Sequence, residues 1–410
     1  MFSRRALLGA GAAAPFVAFA AAPPAPELQP MTAGVQPIGA DERRARIAKA
    51  QKLMASLHIG ALLIESGPSL DYFTGIRWWR SERTTAAIIP ASGDVVVVTP
   101  AFEEPSVRET LMVGDDVRPW DEHESPFERL VGALKDRKLG SGRVAVESTT
   151  RYFIVDGLRQ VSKDYEIVSG DPIVRGCRMV KSPAELALMQ VANEITLAAL
   201  AHVHGKVTAG MKQSELTAIM VEATHALGGQ ADGGLALLNE ASAYPHGSRQ
   251  PQTVREGSVI LMDCGCDVHG YKSDISRTWI FGEPSAKQRK VWETVKRGQE
   301  IALETAKIGL ACGKIDQAVR AFYEKEGWGP GYHLPGLPHR TGHGIGMEGH
   351  EASYLVKNDP TPLQAGMCFS DEPGLYIPGE FGIRLEDCWH MTETGPKLFT
   401  PLARSIDQPF

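Results

Sequence analysis

Two stretches of this chain fold back on themselves around short polar turns, and each carries a carboxylate on both arms. In the first, Val259-Ile260-Leu261-Met262 leads into Asp263, and the chain returns through Tyr271 to Asp274 after a turn containing Gly270. In the second, Glu372 and Glu386 flank Pro378-Gly379, and their midpoint is residue 379. If each hairpin is symmetric, Asp263 faces Asp274 and Glu372 faces Glu386, with Cβ atoms roughly 5 Å apart. Like charges directly opposite destabilise a sheet. A half-buried carboxylate without a partner neutralises itself by raising its pKa. One such pair fits on a solvated acidic face; two pairs, both embedded in apolar strands, want cations between them.

Between the hairpins lies His339-Arg340-Thr341-Gly342-His343-Gly344-Ile345-Gly346, followed by His350-Glu351. Glycines around His343 let the backbone approach a site, and imidazole is a common metal ligand. A lone histidine is more often merely packed; beside four acids the balance reverses. His246, in the turn Tyr244-Pro245-His246-Gly247, gains interest because it shortly precedes the Asp263 strand.

The rest of the chain supplies the frame. At 410 residues two or three domains are expected. Apolar residues at 43% and charged ones at 22% are ordinary for a globular protein, and a formal charge of −6 gives no cationic field for nucleic acid. From Asp41 to Ile173 helical and strand patterns alternate: a helix over Glu42–Leu57, strands over Ile59–Ile64, Thr85–Ile89, Val95–Thr99 and Arg143–Glu147, and a helix over Phe127–Leu139 with Ser125 and Glu128 as a capping box. Such alternation predicts an α/β layer domain. Lys181-Ser182-Pro183-Ala184-Glu185 opens a second part with a capping box and Pro in the first turn. Helices over residues 214–227 and 287–308, the latter capped by Ser285 and Gln288, interleave there with hairpins, which predicts an α+β domain. The expected domains are 41–175 and 178–410.

Residues 1–30 read as an export signal and linker. Ser3-Arg4-Arg5 precedes an uncharged, mostly apolar stretch from Ala6 to Ala22, with small residues at Ala18-Phe19-Ala20 for cleavage. At 17 residues with Pro15 inside, that stretch is short for a membrane span. The paired arginines resemble a twin-arginine signal, which implies export of a folded protein to the periplasm or beyond. No second long apolar run is expected, so no membrane association is expected after cleavage.

The set Asp263, Asp274, His343, Glu372 and Glu386 resembles the five-ligand signature of the pita-bread metallopeptidases, which include aminopeptidase P, prolidase and methionine aminopeptidase, with creatinase as a metal-free relative. The segments that carry the resemblance are Met262-Asp263-Cys264-Gly265, Ser273-Asp274-Ile275-Ser276-Arg277-Thr278, Thr341-Gly342-His343-Gly344-Ile345-Gly346, Glu372-Pro373-Gly374-Leu375-Tyr376 and Gly382-Ile383-Arg384-Leu385-Glu386-Asp387. Tyr72-Phe73-Thr74-Gly75 resembles the creatinase-like amino-terminal domain of that family. The departures are cysteines at 264, 266 and 388 and Met347-Glu348-Gly349 before His350. The resemblance implies an α/β amino-terminal domain, an α+β pita-bread catalytic domain and a homodimer. It also implies that Asp274 and Glu386 bridge two ions, Asp263 holds one, and His343 with Glu372 holds the other. By the same resemblance His246, His339 and His350 stand on the substrate side.

Four carboxylates and one imidazole form a hard, oxygen-rich set that suits Mn²⁺, with Co²⁺ or Zn²⁺ as alternatives. Paired acids can hold two ions roughly 3.5–4 Å apart with one water activated between them. Glu372 is the expected proton shuttle, Arg384 an orienting partner for Glu386, and the histidines polarise the scissile carbonyl. The expected function is a metal-dependent Xaa-Pro peptidase of the aminopeptidase P or prolidase type. The alternatives are a hydrolase of a small-molecule amide or other C–N bond, and a metal-holding binding protein without turnover. A dipeptidase needs a group for its substrate's free carboxylate; Arg340 and Arg384 are the candidates, and either also fits a purely structural part. Cys177, Cys264, Cys266, Cys312, Cys368 and Cys388 leave free thiols and disulfides both open.

Overall fold

A computed structural model describes residues 28–410; all but the end of the expected export signal falls outside the described residues. The first half is a six-stranded sheet built from β1 (Ala61–Glu65), β2 (Ala86–Pro90), β3 (Val96–Pro100), β4 (Asp116–Trp120), β5 (Gly142–Val146) and β6 (Tyr165–Ser169), in the order β4-β3-β2-β1-β5-β6. β1, β2 and β3 are buried on both faces, as strands covered by helices on each side must be. Their period-two alternation sorts side chains into two cores. Ala61, Leu63, Ala86, Ile88, Val96 and Val98 pack outward against Leu130, Leu134, Ile154 and Leu158. Leu62, Ile64, Ala87, Ile89 and Val97 join a second core that includes Leu188, Ala192, Ile195 and Leu200 of the second half.

That second half opens on the helix Pro183–His204, whose capping box closes in both directions between Ser182 and Glu185. The box at Ser285 and Gln288 also closes, ahead of the helix Ala286–Thr305. At Ser125 only the hydroxyl cap forms: its Oγ accepts from Glu128 N, while the Glu124 carboxylate occupies the neighbouring donor of Asp121. The expectation of no second long apolar run is corrected at Pro183–His204, which is long and apolar enough by composition to cross a membrane. Its apolarity serves packing here, since Leu188, Met189, Ala192, Ile195, Ala199, Leu200 and Val203 are buried.

Three sheets of this half position the site. The strand Ser258–Cys264 pairs with Leu235–Leu238 and Ile275–Phe281. A five-stranded sheet runs Glu351–Leu355, Gly342–Gly344, Cys368–Asp371, Asp387–Thr392, Gly395–Leu398. A two-stranded ribbon joins Gly374–Ile377 to Phe381–Arg384.

The first hairpin departs from the symmetric expectation. His269 and Gly270 both have positive φ, 51° and 90°, and Val268 pairs with Tyr271 across them. Two left-handed central residues make a tight hairpin turn whose twist matches the strands, so the axis falls one residue later than the midpoint of the two aspartates. Asp263 therefore faces Ser276, not Asp274. The two aspartates become diagonal neighbours, with Gly265 opposite Asp274, where a Cβ would lie 2.3 Å from Ser273 O.

The second hairpin keeps the expected register. Gly374 pairs with Arg384 on one side and Asp371 with Asp387 on the other, so Glu372 lies across from Glu386. The ladder parts at that point: Glu372 N donates to Thr341 O at 2.8 Å, and Glu386 exchanges backbone bonds with Ser276 at 3.0 and 3.3 Å. The ribbon leaves the sheet here, and the gap holds the two glutamates.

Candidate metal centre

Every one of the five expected ligands stands at a strand end or a break in a ladder, and together they line a cavity of about 410 Å³. The sequence forces the closest approach at His343. A Cβ on Gly342 would lie 2.2 Å from Ser370 O and one on Gly344 2.7 Å from Ala352 O, so only glycines let this strand fit between its neighbours.

The ligand atoms of Asp263, Asp274 and Glu386 lie within 4.8 Å of one another, as do those of His343, Glu372 and Glu386, and those of Asp274, His343 and His350. Glu386 belongs to the first two sets. His343 Nδ1 is 3.1 Å from Gly344 O; a carbonyl only accepts, so Nδ1 carries the hydrogen. The Nε2 lone pair then faces Glu372 Oε1 at 3.3 Å and Asp274 Oδ2 at 3.7 Å. Burial holds this imidazole well below its ordinary pKa, so it stands neutral, in the tautomer a metal ligand needs.

The carboxylates are under strain from one another. Burial, then the charges of Glu386 and Asp263, push Asp274 well above the usual range. Burial, then Glu372 and Asp263, do the same to Glu386. Burial lifts Glu372 to about 7, with Arg384 pulling against it. Four acids with one bonded guanidinium among them are a poor structural cluster and a good cage for divalent cations. Their oxygen-rich donors, with one correctly oriented imidazole and one shared glutamate, fit two hard or borderline ions.

Around the cage Arg384 and His339 are each held by several partners. Arg384, the expected orienting partner of Glu386, has its Nε 3.9 Å from Glu386 Oε2. Its Nη2 donates to Asp263, its Nη1 to Tyr376 OH and Pro245 O, and its Nε to Ser276 Oγ. Ser276 Oγ in turn donates to Glu386 Oε2 at 2.7 Å. The shifted first hairpin brings Ser276 between them. His339 lines the cavity with both ring nitrogens engaged inside the protein. Burial lowers its pKa to about 3, so it is neutral: Nδ1–H donates to Arg340 O at 2.8 Å and Nε2 accepts from Tyr376 OH at 2.9 Å.

His350 stands 4.0 Å, ring centre to ring centre, from His343. Its Nδ1 accepts from Arg340 Nη2 at 2.9 Å, which leaves the proton on Nε2. His246 sits exposed in a turn on the rim of the cavity. Ser276 and Tyr376 were missed by sequence reasoning. Period-two alternation points to both, because Ser276 follows Asp274 by two residues and Tyr376 follows Glu372 by four, on the same faces. All six cysteines are buried free thiols; Cys266 Sγ turns away from the cage to Ala192 O.

A carboxylate-rich cage at the heart of a pita-bread fold, behind a creatinase-like domain, defines a metallopeptidase. The chain belongs to metallopeptidase family M24, whose model matches residues 187–393, and the creatinase/prolidase amino-terminal domain matches residues 46–180. It is 33% identical over 361 residues to an uncharacterized peptidase of Schizosaccharomyces pombe, covering 82% of this chain and 77% of that one. It is 28% identical over 365 residues to an Xaa-Pro dipeptidase of Pyrococcus horikoshii, covering 88% and 98%. Among solved structures, dipeptidase PepE from Mycobacterium ulcerans superposes with a TM-score of 0.78 at 29% identity, over 89% of this chain and 97% of that one. The chain is a peptidase, a hydrolase of a metal-dependent family.

Proposed function

We propose that this peptidase is an Xaa-Pro dipeptidase working with two divalent ions, Mn²⁺ first among them. The observation that carries the proposal is the pair of donor sets joined through Glu386, supported by relatives that bear the dipeptidase name. Asp263, Asp274 and Glu386 would hold one ion, and His343, Glu372 and Glu386 with Asp274 the other. Such ions supply Lewis acidity and make water acidic enough to attack at neutral pH. The protein supplies the rest. His350, neutral with its proton on Nε2, donates to the scissile carbonyl as charge develops on it. Glu372 takes a proton on its carboxylate and delivers it to the leaving proline nitrogen. His339 serves as a post, holding Tyr376 and the Arg340 carbonyl in place. His246 on the rim is left to meet substrate.

The test is turnover of Gly-Pro, Gly-Pro-Ala and a non-peptide amide by protein loaded with Mn²⁺, Co²⁺ or Zn²⁺, before and after EDTA. Gly-Pro should be cleaved best and EDTA should abolish it. Undiminished activity in protein shown to be free of metal would overturn the reading, and so would turnover of the non-peptide amide alone. The proposal extends to export as a folded, metal-loaded homodimer: changing Arg4 and Arg5 to Lys should retain the enzyme inside the cell.

A further inference from the structure

Two guanidinium groups line the cavity among the described residues, and they differ in what they have left to give. Arg384 is buried, and four of its five N–H groups are spent on Asp263, Tyr376, Ser276 and the Pro245 carbonyl. It cannot turn to a substrate without dismantling the cage. Arg340 is half-buried and spends one N–H on His350 Nδ1. Its Cζ lies 4.4 Å from the centre of the Tyr354 ring, so the guanidinium lies over an aromatic ring with one edge bonded to an imidazole. Tyr354 is itself fixed, its N donating to Asp359 Oδ2 at 3.0 Å. Among the described residues the remaining edge of the fork has no partner.

A dipeptide brings a free carboxylate into the cavity. Taking that charge out of water costs free energy unless a charged donor meets it. A planar guanidinium, stacked and already oriented, loses little freedom on forming two parallel bonds to a carboxylate. We propose that Arg340 captures the C-terminal carboxylate of the dipeptide and thereby sets the preference for two-residue substrates. The inference rests on the dipeptidase reading above. It also makes His350 and the carboxylate subsite one unit, because the same guanidinium fixes the imidazole tautomer and receives the substrate's end.

The experiment compares kcat/KM for Gly-Pro with that for Gly-Pro-amide, which lacks the charge, in metal-loaded wild type, Arg340→Met and Arg340→Lys. Losing His350's partner should slow both substrates, so the ratio of the two is the readout. Wild type should favour the free acid. Arg340→Met should cut the ratio about 30-fold, the worth of a charged hydrogen bond, mostly through KM. Arg340→Lys should restore part of it, since a point charge remains without the fork. An unchanged ratio in Arg340→Met, or a wild type that treats acid and amide alike, overturns the inference and leaves the peptidase reading standing. If wild type cleaves neither compound with any of the three metals, the dipeptidase reading itself fails. Circular dichroism spectra matching wild type establish that the variants fold.

Discussion

Two of the buried charge clusters among the described residues are built on opposite plans. At the seam between the halves, Glu351 accepts from Arg178 Nη2, from Lys181 Nζ at 3.1 Å, and from the backbone N–H groups of Met347 and Glu348 at 2.9 and 3.2 Å. Burial alone would raise its pKa, but Arg178 and Lys181 hold it down to about 2. In the metal cage the same kind of side chain goes the other way, with Glu372 lifted to about 7. The lesson is that burial does not decide the fate of a carboxylate; the supply of donors does. Glu351 is a finished structural element. The cage is unfinished without cations, and a protein keeps such a cluster for its chemistry.

The sharpest way to break the comparison is to neutralise one acid in each cluster. Asp274→Asn removes a cage ligand and should lower kcat by about 10³-fold, several kcal/mol of barrier. The metal-free variant should unfold at the same urea concentration as metal-free wild type or a higher one, because a repulsive charge has gone. A clear loss of metal-free stability would show the cage to be a structural cluster after all. Glu351→Gln should act in reverse. It leaves Arg178 and Lys181 buried beside a neutral amide and should cost about 3 kcal/mol of stability, read from urea unfolding of the metal-free protein.

Acid should separate the two regions by the sign of their slopes. Glu351 titrates near 2 when folded and near 4.3 when unfolded. The unfolded chain takes up that proton first, so this contribution is complete above about pH 4.5 and is lost as pH falls towards 2. Glu372 has its folded value raised, so in metal-free protein the folded state binds the proton first. That contribution grows as pH falls from about 7 to 4.5. The metal-free protein should therefore be most stable near pH 4.5 to 5, and Glu351→Gln should flatten only the acid limb. A single monotonic loss from pH 7 downward would contradict this.

The glutamate half of the cage was legible in the sequence because Glu372 and Glu386 sit at equal distances from a short turn, and alternation in a strand fixes the face. The pairing of Glu372 with Glu386 followed directly. The pairing of Asp263 with Asp274 did not, because the register depends on which two residues take the left-handed turn, and His269-Gly270 outweighs the symmetry of the charges. The helix caps at Ser182 and Ser285 were legible as local chemistry. The cluster at Glu351 was not: Arg178 and Glu351 are 173 positions apart, and no periodicity links a helix of one half to a strand of the other. The thiol state of the six cysteines had the same cause, since pairing depends on distances the sequence does not carry.

The finest test uses one hydroxyl in each cluster. Ser69 Oγ accepts from Arg178 Nη1 at 2.9 Å and donates to Glu147 Oε1 at 2.8 Å. Ser276 Oγ accepts from Arg384 Nε at 3.0 Å and donates to Glu386 Oε2 at 2.7 Å. Both are serines bridging an arginine to a glutamate, so deletion to alanine removes the same two bonds. In the seam that loss falls on stability, and Ser69→Ala should cost about 1 kcal/mol with metal affinity unchanged. In the cage the bridge orients a ligand for an ion, and outer partners of metal ligands typically contribute about tenfold or more in affinity. Ser276→Ala should therefore weaken Mn²⁺ binding by about tenfold in calorimetric titration, and should shift metal-free stability by less than Ser69→Ala does. Equal stability losses with unchanged Mn²⁺ affinity would mean that the two clusters differ in charge count alone, and that the cage is not organised around an ion.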